Sequence, residues 1–93
     1  MRQRLTKQFR RNVNKLKSSG RKNLKKLRYI MEQLIGSKRL NRKYKDHALK
    51  GEWLGFRECH IEGDWLLVYK IDEDRDGAII TFYAIGSHAD LFK

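Results

Sequence analysis

Phe56-Arg57-Glu58-Cys59-His60-Ile61-Glu62-Gly63-Asp64-Trp65-Leu66-Leu67-Val68-Tyr69-Lys70-Ile71 decides the fold of this 93-residue chain. Upstream of it the apolar residues recur at helical spacing, and here they recur at every second residue. Residues 56–61 and 65–71 read as strands joined through Glu62-Gly63-Asp64, and residues 78–85 as a third strand after an acidic turn at 72–77. Connections this short predict an antiparallel meander. Residues 1–5 could add one more strand.

Working back toward the N-terminus, Leu5, Phe9, Val13 and Leu16 step along one helical face, with Thr6 as a cap and Ser18-Ser19-Gly20 as the stop. Leu24, Leu27, Ile30, Met31, Leu34 and Ile35 repeat that period and end at Gly36. The expected fold is α+β: an antiparallel helical hairpin on one face of a small antiparallel sheet, with a short helical turn at the C-terminus begun by Ser87. A chain of this length predicts a single domain over residues 1–93, because neither half could build its own core.

Charge is divided along the chain. Residues 1–50 carry 18 Lys and Arg against Glu32 and Asp46, and residues 51–93 carry 4 against 9 acids, for a net +11. Such a chain is expected to meet a polyanion: nucleic acid, an anionic membrane surface or an acidic protein. With 40% apolar residues it is too hydrophobic for a disordered basic tail. Its longest unbroken apolar run is Trp65-Leu66-Leu67-Val68-Tyr69, far short of a membrane span. The N-terminus lacks the apolar stretch of a signal peptide. The single Cys59 excludes an internal disulfide framework and fits a reducing cytoplasm. The expected location is the cytoplasm.

Three histidines are the candidates for chemistry: His47 in a loop, His60 on a strand, His88 after the last strand. An even-numbered turn at Gly63 would place Cys59, Ile61, Leu66 and Val68 under the helices. Glu58, His60, Trp65, Leu67 and Tyr69 would then share the opposite face. His60 therefore points away from Cys59, which reads as a core residue and not as a nucleophile. His88 and Phe92 stand four apart on the last helical turn, so an imidazole and a ring able to stack a base are neighbours. Three histidines could in principle hold a catalytic zinc, but no HExxH or other close pair is present, and neither a Gly-rich phosphate loop nor a GxSxG elbow appears. Imidazoles with carboxylates can cleave RNA without a metal. One group takes the proton of the 2′-hydroxyl as it attacks the phosphate, and another protonates the departing 5′-oxygen.

A longer pattern adds to this. Tyr44-Lys45-Asp46-His47-Ala48-Leu49-Lys50-Gly51, Trp53, Arg57-Glu58-Cys59-His60, Asp64-Trp65-Leu66-Leu67-Val68-Tyr69-Lys70-Ile71 and Gly86-Ser87-His88-Ala89-Asp90-Leu91-Phe92 together resemble the YafQ branch of the RelE/ParE toxin superfamily. The resemblance implies a bacterial type II toxin: a ribosome-dependent endoribonuclease that cuts mRNA in the ribosomal A site, needs no metal or other cofactor, and is held inactive by a cognate antitoxin. Carried over by motif position, it implies His47, His60, Asp64 and His88 as the acid–base and phosphate-contacting set, with Trp65 and Phe92 as aromatic supports. His88 is expected to protonate the leaving oxygen, His47 and Asp64 to lie near the attacking hydroxyl, and His60 to contact phosphate. Ala48 stands where relatives often have Pro, which would loosen the His47 loop, and the 72–77 turn is long and acidic for the family. Two other readings are a non-enzymatic ParE-like toxin that binds a protein target such as gyrase, and a basic RNA- or ribosome-binding module.

Overall fold

The computed structural model describes residues 1–20 and 23–92. Its elements run β1 (Arg2–Leu5), α1 (Lys7–Ser19), α2 (Leu24–Ile35), β2 (His47–Ala48), β3 (Arg57–Glu62), β4 (Trp65–Asp74), β5 (Gly77–Gly86) and α3 (His88–Leu91). Thr6 caps α1 by accepting the Phe9 amide at 3.0 Å, and Asn23 caps α2 through the Lys26 amide at 3.1 Å. Gly20 ends α1 at φ 64, a left-handed conformation that glycine adopts without steric cost. Ser87 and Asp90 form a reciprocal capping box at the start of α3.

The sheet order is β1-β5-β4-β3-β2. β3, β4 and β5 form the expected antiparallel meander, but β1 pairs in parallel with β5, so the sheet is mixed. The parallel strand follows from the chain path, since α1 carries it away from β1 and the meander brings β5 back alongside. The acidic turn is shorter than its composition suggests. The ladder continues through Asp72, Glu73 and Asp74, leaving Arg75-Asp76 as the connection. Exposed acids carry no hydrophobic period, which hid these strand ends from the sequence pattern; Arg2 of β1, on the other side of β5, forms an exposed ion pair with Asp74.

Phe9, Leu27, Ile30 and Leu34 from the helices pack against Cys59, Ile61, Trp65, Leu67, Tyr69, Ile80, Phe82 and Ile85 of the sheet. The expected sidedness of β3 is present, and that of β4 is reversed. Glu62 pairs with Trp65, but His60 pairs with Leu66, so Ile61 is an extra residue on β3. This bulge moves Trp65, Leu67 and Tyr69 to the helix side and Leu66 and Val68 to the other, because one inserted residue flips the alternation of everything beyond it. A second bulge, at Tyr83 on β5, leaves that residue's carbonyl outside the ladder, where the Thr6 hydroxyl donates to it at 2.6 Å. Among the described residues no helix is long and apolar enough to cross a membrane.

Candidate active site

The sheet face away from the helices carries the histidines. Glu58 and His60 are two apart on β3 and share that face, and His47 joins them from β2, where it lies directly opposite Glu58. His47 thus stands in a two-residue ladder, with Ala48 paired to Arg57, where its sequence suggests a loop. His88 opens α3, and Asp64, in the β3–β4 turn, reaches it.

Three imidazoles from separate segments converge on one carboxylate. Glu58 Oε1 lies 3.6 Å from His47 Nε2, 3.7 Å from His60 Nε2 and 3.8 Å from His88 Nε2. These are ion-pair distances for a protonated ring and longer than direct hydrogen bonds. The Glu58 side chain is only 4% exposed, whereas those of His47 and His88 are about half exposed, so the carboxylate forms the floor of the site and the rings its rim. A buried carboxylate is tolerated where charged or polar groups face it, and here three do.

The outer nitrogen of each ring is already engaged. His47 Nδ1 lies 2.6 Å from the Lys45 carbonyl, His60 Nδ1 lies 3.3 Å from the Gly63 carbonyl, and His88 Nδ1 lies 2.8 Å from Asp64 Oδ1. A carbonyl can only accept, so His47 and His60 carry a proton on Nδ1, and the ionised Asp64 requires the same of His88. Every Nε2 is therefore left facing the common centre. It is a lone pair when its ring is neutral and a proton donor when its ring is charged, which are the two states acid–base catalysis needs.

Asp64 is held below the usual carboxylate range, first by the hydrogen bond from the His88 ring and then by that from the His88 amide. A carboxyl lowered in the fold contributes stability above its unfolded value, and that contribution is lost as the pH falls through the lowered one. In an NMR titration the Asp64 carboxyl carbon is expected to titrate below the ordinary value of about 3.9, and His88→Ala should return it toward that value. Titration at the ordinary value in the unaltered protein would show that the bond is not formed in solution. Asp64, expected near the attacking hydroxyl together with His47, makes its hydrogen bonds with His88.

Aromatic rings continue the site beyond His88. Phe92 lies 5.8 Å from its ring centroid, Trp53 packs edge-on to Phe92 at 5.3 Å, and Phe56 and Tyr83 complete the group at 5.4 and 5.6 Å from Trp53. Trp65 is elsewhere. It is 2% exposed in the core on the helix side, so it offers substrate no ring face. The bulge at Ile61 is the reason. On the opposite flank a groove lined by Lys26, Lys43, Tyr44 and Lys45 opens beside His60; it is basic on balance, with Glu62 3.9 Å from Lys26 as the acid in its lining.

Cys59 is fully buried, and desolvation pushes its thiol up to about 12, so it stays protonated and takes no part. Among the described residues no group of three His, Cys, Asp or Glu is arranged to hold a metal ion. Sequence reasoning passed over Glu58 and Trp53. The first is signalled by its spacing of two from His60, whereas nothing in the spacing signals the second.

A family model described as the bacterial toxin of a type II toxin–antitoxin system, YafQ, matches residues 1–93. The mRNA interferase toxin YafQ of Escherichia coli K12 is 40% identical over 79 residues, covering 84% of this chain and 82% of the relative. The crystal structure of YafQ from E. coli BL21(DE3) superposes with a TM-score of 0.89 at 34% identity over the full length of both chains. YafQ in the E. coli DinJ–YafQ complex does so with a TM-score of 0.86 at 35% identity, again over both full lengths. A histidine-lined, carboxylate-floored site on a sheet backed by two helices, with likeness of this extent, means that the chain belongs to the YafQ family of bacterial type II toxins, which are endoribonucleases.

Proposed function

We propose that this single domain is a ribosome-dependent mRNA interferase that cleaves mRNA in the A site by acid–base chemistry carried by His47, His60 and His88. The observation that carries this reading is the convergence of three Nε2 atoms within 3.8 Å of one Glu58 oxygen. In this scheme neutral His47 removes the 2′-hydroxyl proton through Nε2, and the oxygen attacks the adjacent phosphorus. Charged His88 gives its Nε2 proton to the departing 5′-oxygen, leaving a 2′,3′-cyclic phosphate and a 5′-hydroxyl. His60 stands between them, with ring centroids 6.5 Å from His47 and 6.1 Å from His88, and contacts the charged phosphoryl oxygens. Asp64 keeps the outer proton of His88 in place, so that only the inner one is exchanged. Phe92, backed by Trp53, stacks a neighbouring base. The basic groove beside His60 draws in the phosphate backbone.

The site is shallow, with its rings on an open rim, and this supports dependence on the ribosome. A pre-aligned substrate supplies the orientation that a deep cleft would otherwise give. The toxin then acts in the bacterial cytoplasm, where translation occurs. As E. coli YafQ forms a complex with DinJ, a cognate antitoxin is expected to neutralise it.

The deciding experiment is incubation with translating ribosomes followed by mapping of mRNA 5′ ends. New 5′-hydroxyl ends at A-site codons are expected, with little cutting of the same RNA free in solution. An unchanged pattern of ends would overturn the proposal and leave a binding module.

A further inference from the structure

His47 stands on the least secured strand of the sheet. β2 is two residues long and lies at an edge, so its ladder amounts to His47 opposite Glu58 and Ala48 opposite Arg57, with the Leu49 amide donating to the Phe56 carbonyl at 2.9 Å just beyond. So short a ladder fixes a ring poorly, whereas displacement of a catalytic group by about an ångström can lower a rate roughly a hundredfold.

The neighbouring residues supply what the ladder lacks. Asp46 turns to the face opposite His47, as alternation requires, and its Oδ1 accepts the Tyr69 hydroxyl at 2.5 Å and Arg57 Nε at 3.3 Å. Tyr69 lies opposite Arg57 on β4 and is 1% exposed, so this bond ties the loop to the immobile centre of the core. Burial, and after it the bond to Asp46, raise the phenol above its usual range, so it remains a donor throughout the physiological range. On the same segment Lys45 closes the 3₁₀ turn at Arg42–Tyr44 with φ 48, a conformation that residues with side chains rarely adopt. That conformation presents the Lys45 carbonyl to His47 Nδ1.

We infer that Asp46, clamped by Tyr69 and Arg57, is a positioning residue for the reaction, pinning the entry to β2 so that the His47 ring meets the Lys45 carbonyl on one side and Glu58 on the other. The inference rests on the proposed role of His47 in cleavage.

Tyr69→Phe tests it with one hydroxyl removed and the ring volume kept. On programmed ribosomes kcat is expected to fall roughly tenfold or more with KM unchanged, since no surface group is altered. In a His47→Ala background the same substitution should produce no further loss, because the two act as one unit. Asp46→Asn, which keeps an acceptor oxygen, should retain more activity than Asp46→Ala. If the alanine variant fails to fold, Tyr69→Phe decides alone. NMR of the imidazole nitrogens gives a readout separate from catalysis: the Nδ1–H signal of His47 should shift or broaden in Tyr69→Phe, with those of His60 and His88 unmoved. Wild-type cleavage by Tyr69→Phe, or an equal loss with and without His47, overturns the inference. Should His47→Ala itself cleave normally, the catalytic role of His47 falls, and an unmoved His47 ring signal in Tyr69→Phe would then overturn the positioning as well.

Discussion

His88→Ala is expected to slow mRNA cleavage on ribosomes by about 10²–10⁴-fold, the range that a positioned acid or base contributes. Two losses coincide in this variant. The proton donor for the 5′-oxygen disappears, and Phe92 loses the ring beside it, 5.8 Å away. The fold should scarcely notice. The side chain is about half exposed, its hydrogen-bond partner Asp64 is more exposed still, and neither belongs to the core. Surface changes of this kind usually stay within about 0.5 kcal/mol, so the melting temperature should remain within roughly 4 °C of the unaltered protein. Single-turnover cleavage paired with a thermal melt checks both halves. A variant that cuts at the normal rate would remove His88 from the mechanism, and one that melts far lower would show that its role is in folding.

Trp65→Ala is expected to do the reverse. The family resemblance sets this residue at the cleavage site, but the structure buries it among Leu67, Ile61 and the helical side chains. Truncating a buried Trp costs about 3–5 kcal/mol through lost apolar contact and the cavity left behind. For a chain of this size that is a large part of the whole stability, typically about 5–15 kcal/mol, so the midpoint of urea unfolding should fall steeply. Trp65→Phe, which keeps a ring in the cavity, should recover most of the stability and cleave normally per folded molecule. Loss of cleavage in Trp65→Phe with an unaltered unfolding midpoint would return the indole to the site.

These two residues show where the sequence was legible and where it was not. The α+β order, both helices with Thr6, Gly20 and Gly36 at their ends, the three central strands and the capped final turn follow from local periodicity and capping chemistry, which depend on neighbours a few positions apart. His88 and Phe92 fell on one side of a helical turn for the same reason. The face occupied by Trp65 depended on a single extra residue, Ile61, in the partner strand. No alternation pattern shows such an insertion, because apolar residues stand on both sides of β4. Glu58 looked like an ordinary strand acid until tertiary structure brought His47 and His88 to it. Nothing in the spacing indicates which ring a turn carboxylate such as Asp64 will reach. Asp72, Glu73 and Asp74 looked like a loop because their strand is solvated on both faces.

The additional residue at Ile61 also bears on how this chain can vary. Deleting that one residue would leave a plain two-residue hairpin, with His60 still opposite Leu66 and Glu62 still opposite Trp65, so β4 would keep both its faces and the core would lose only the Ile61 side chain. Deleting Cys59, two positions earlier, would instead make Glu58 and His60 neighbours and turn them to opposite faces, which dismantles the site. Chain length is thus rigidly constrained between the carboxylate and its nearest imidazole, and slack immediately beyond them.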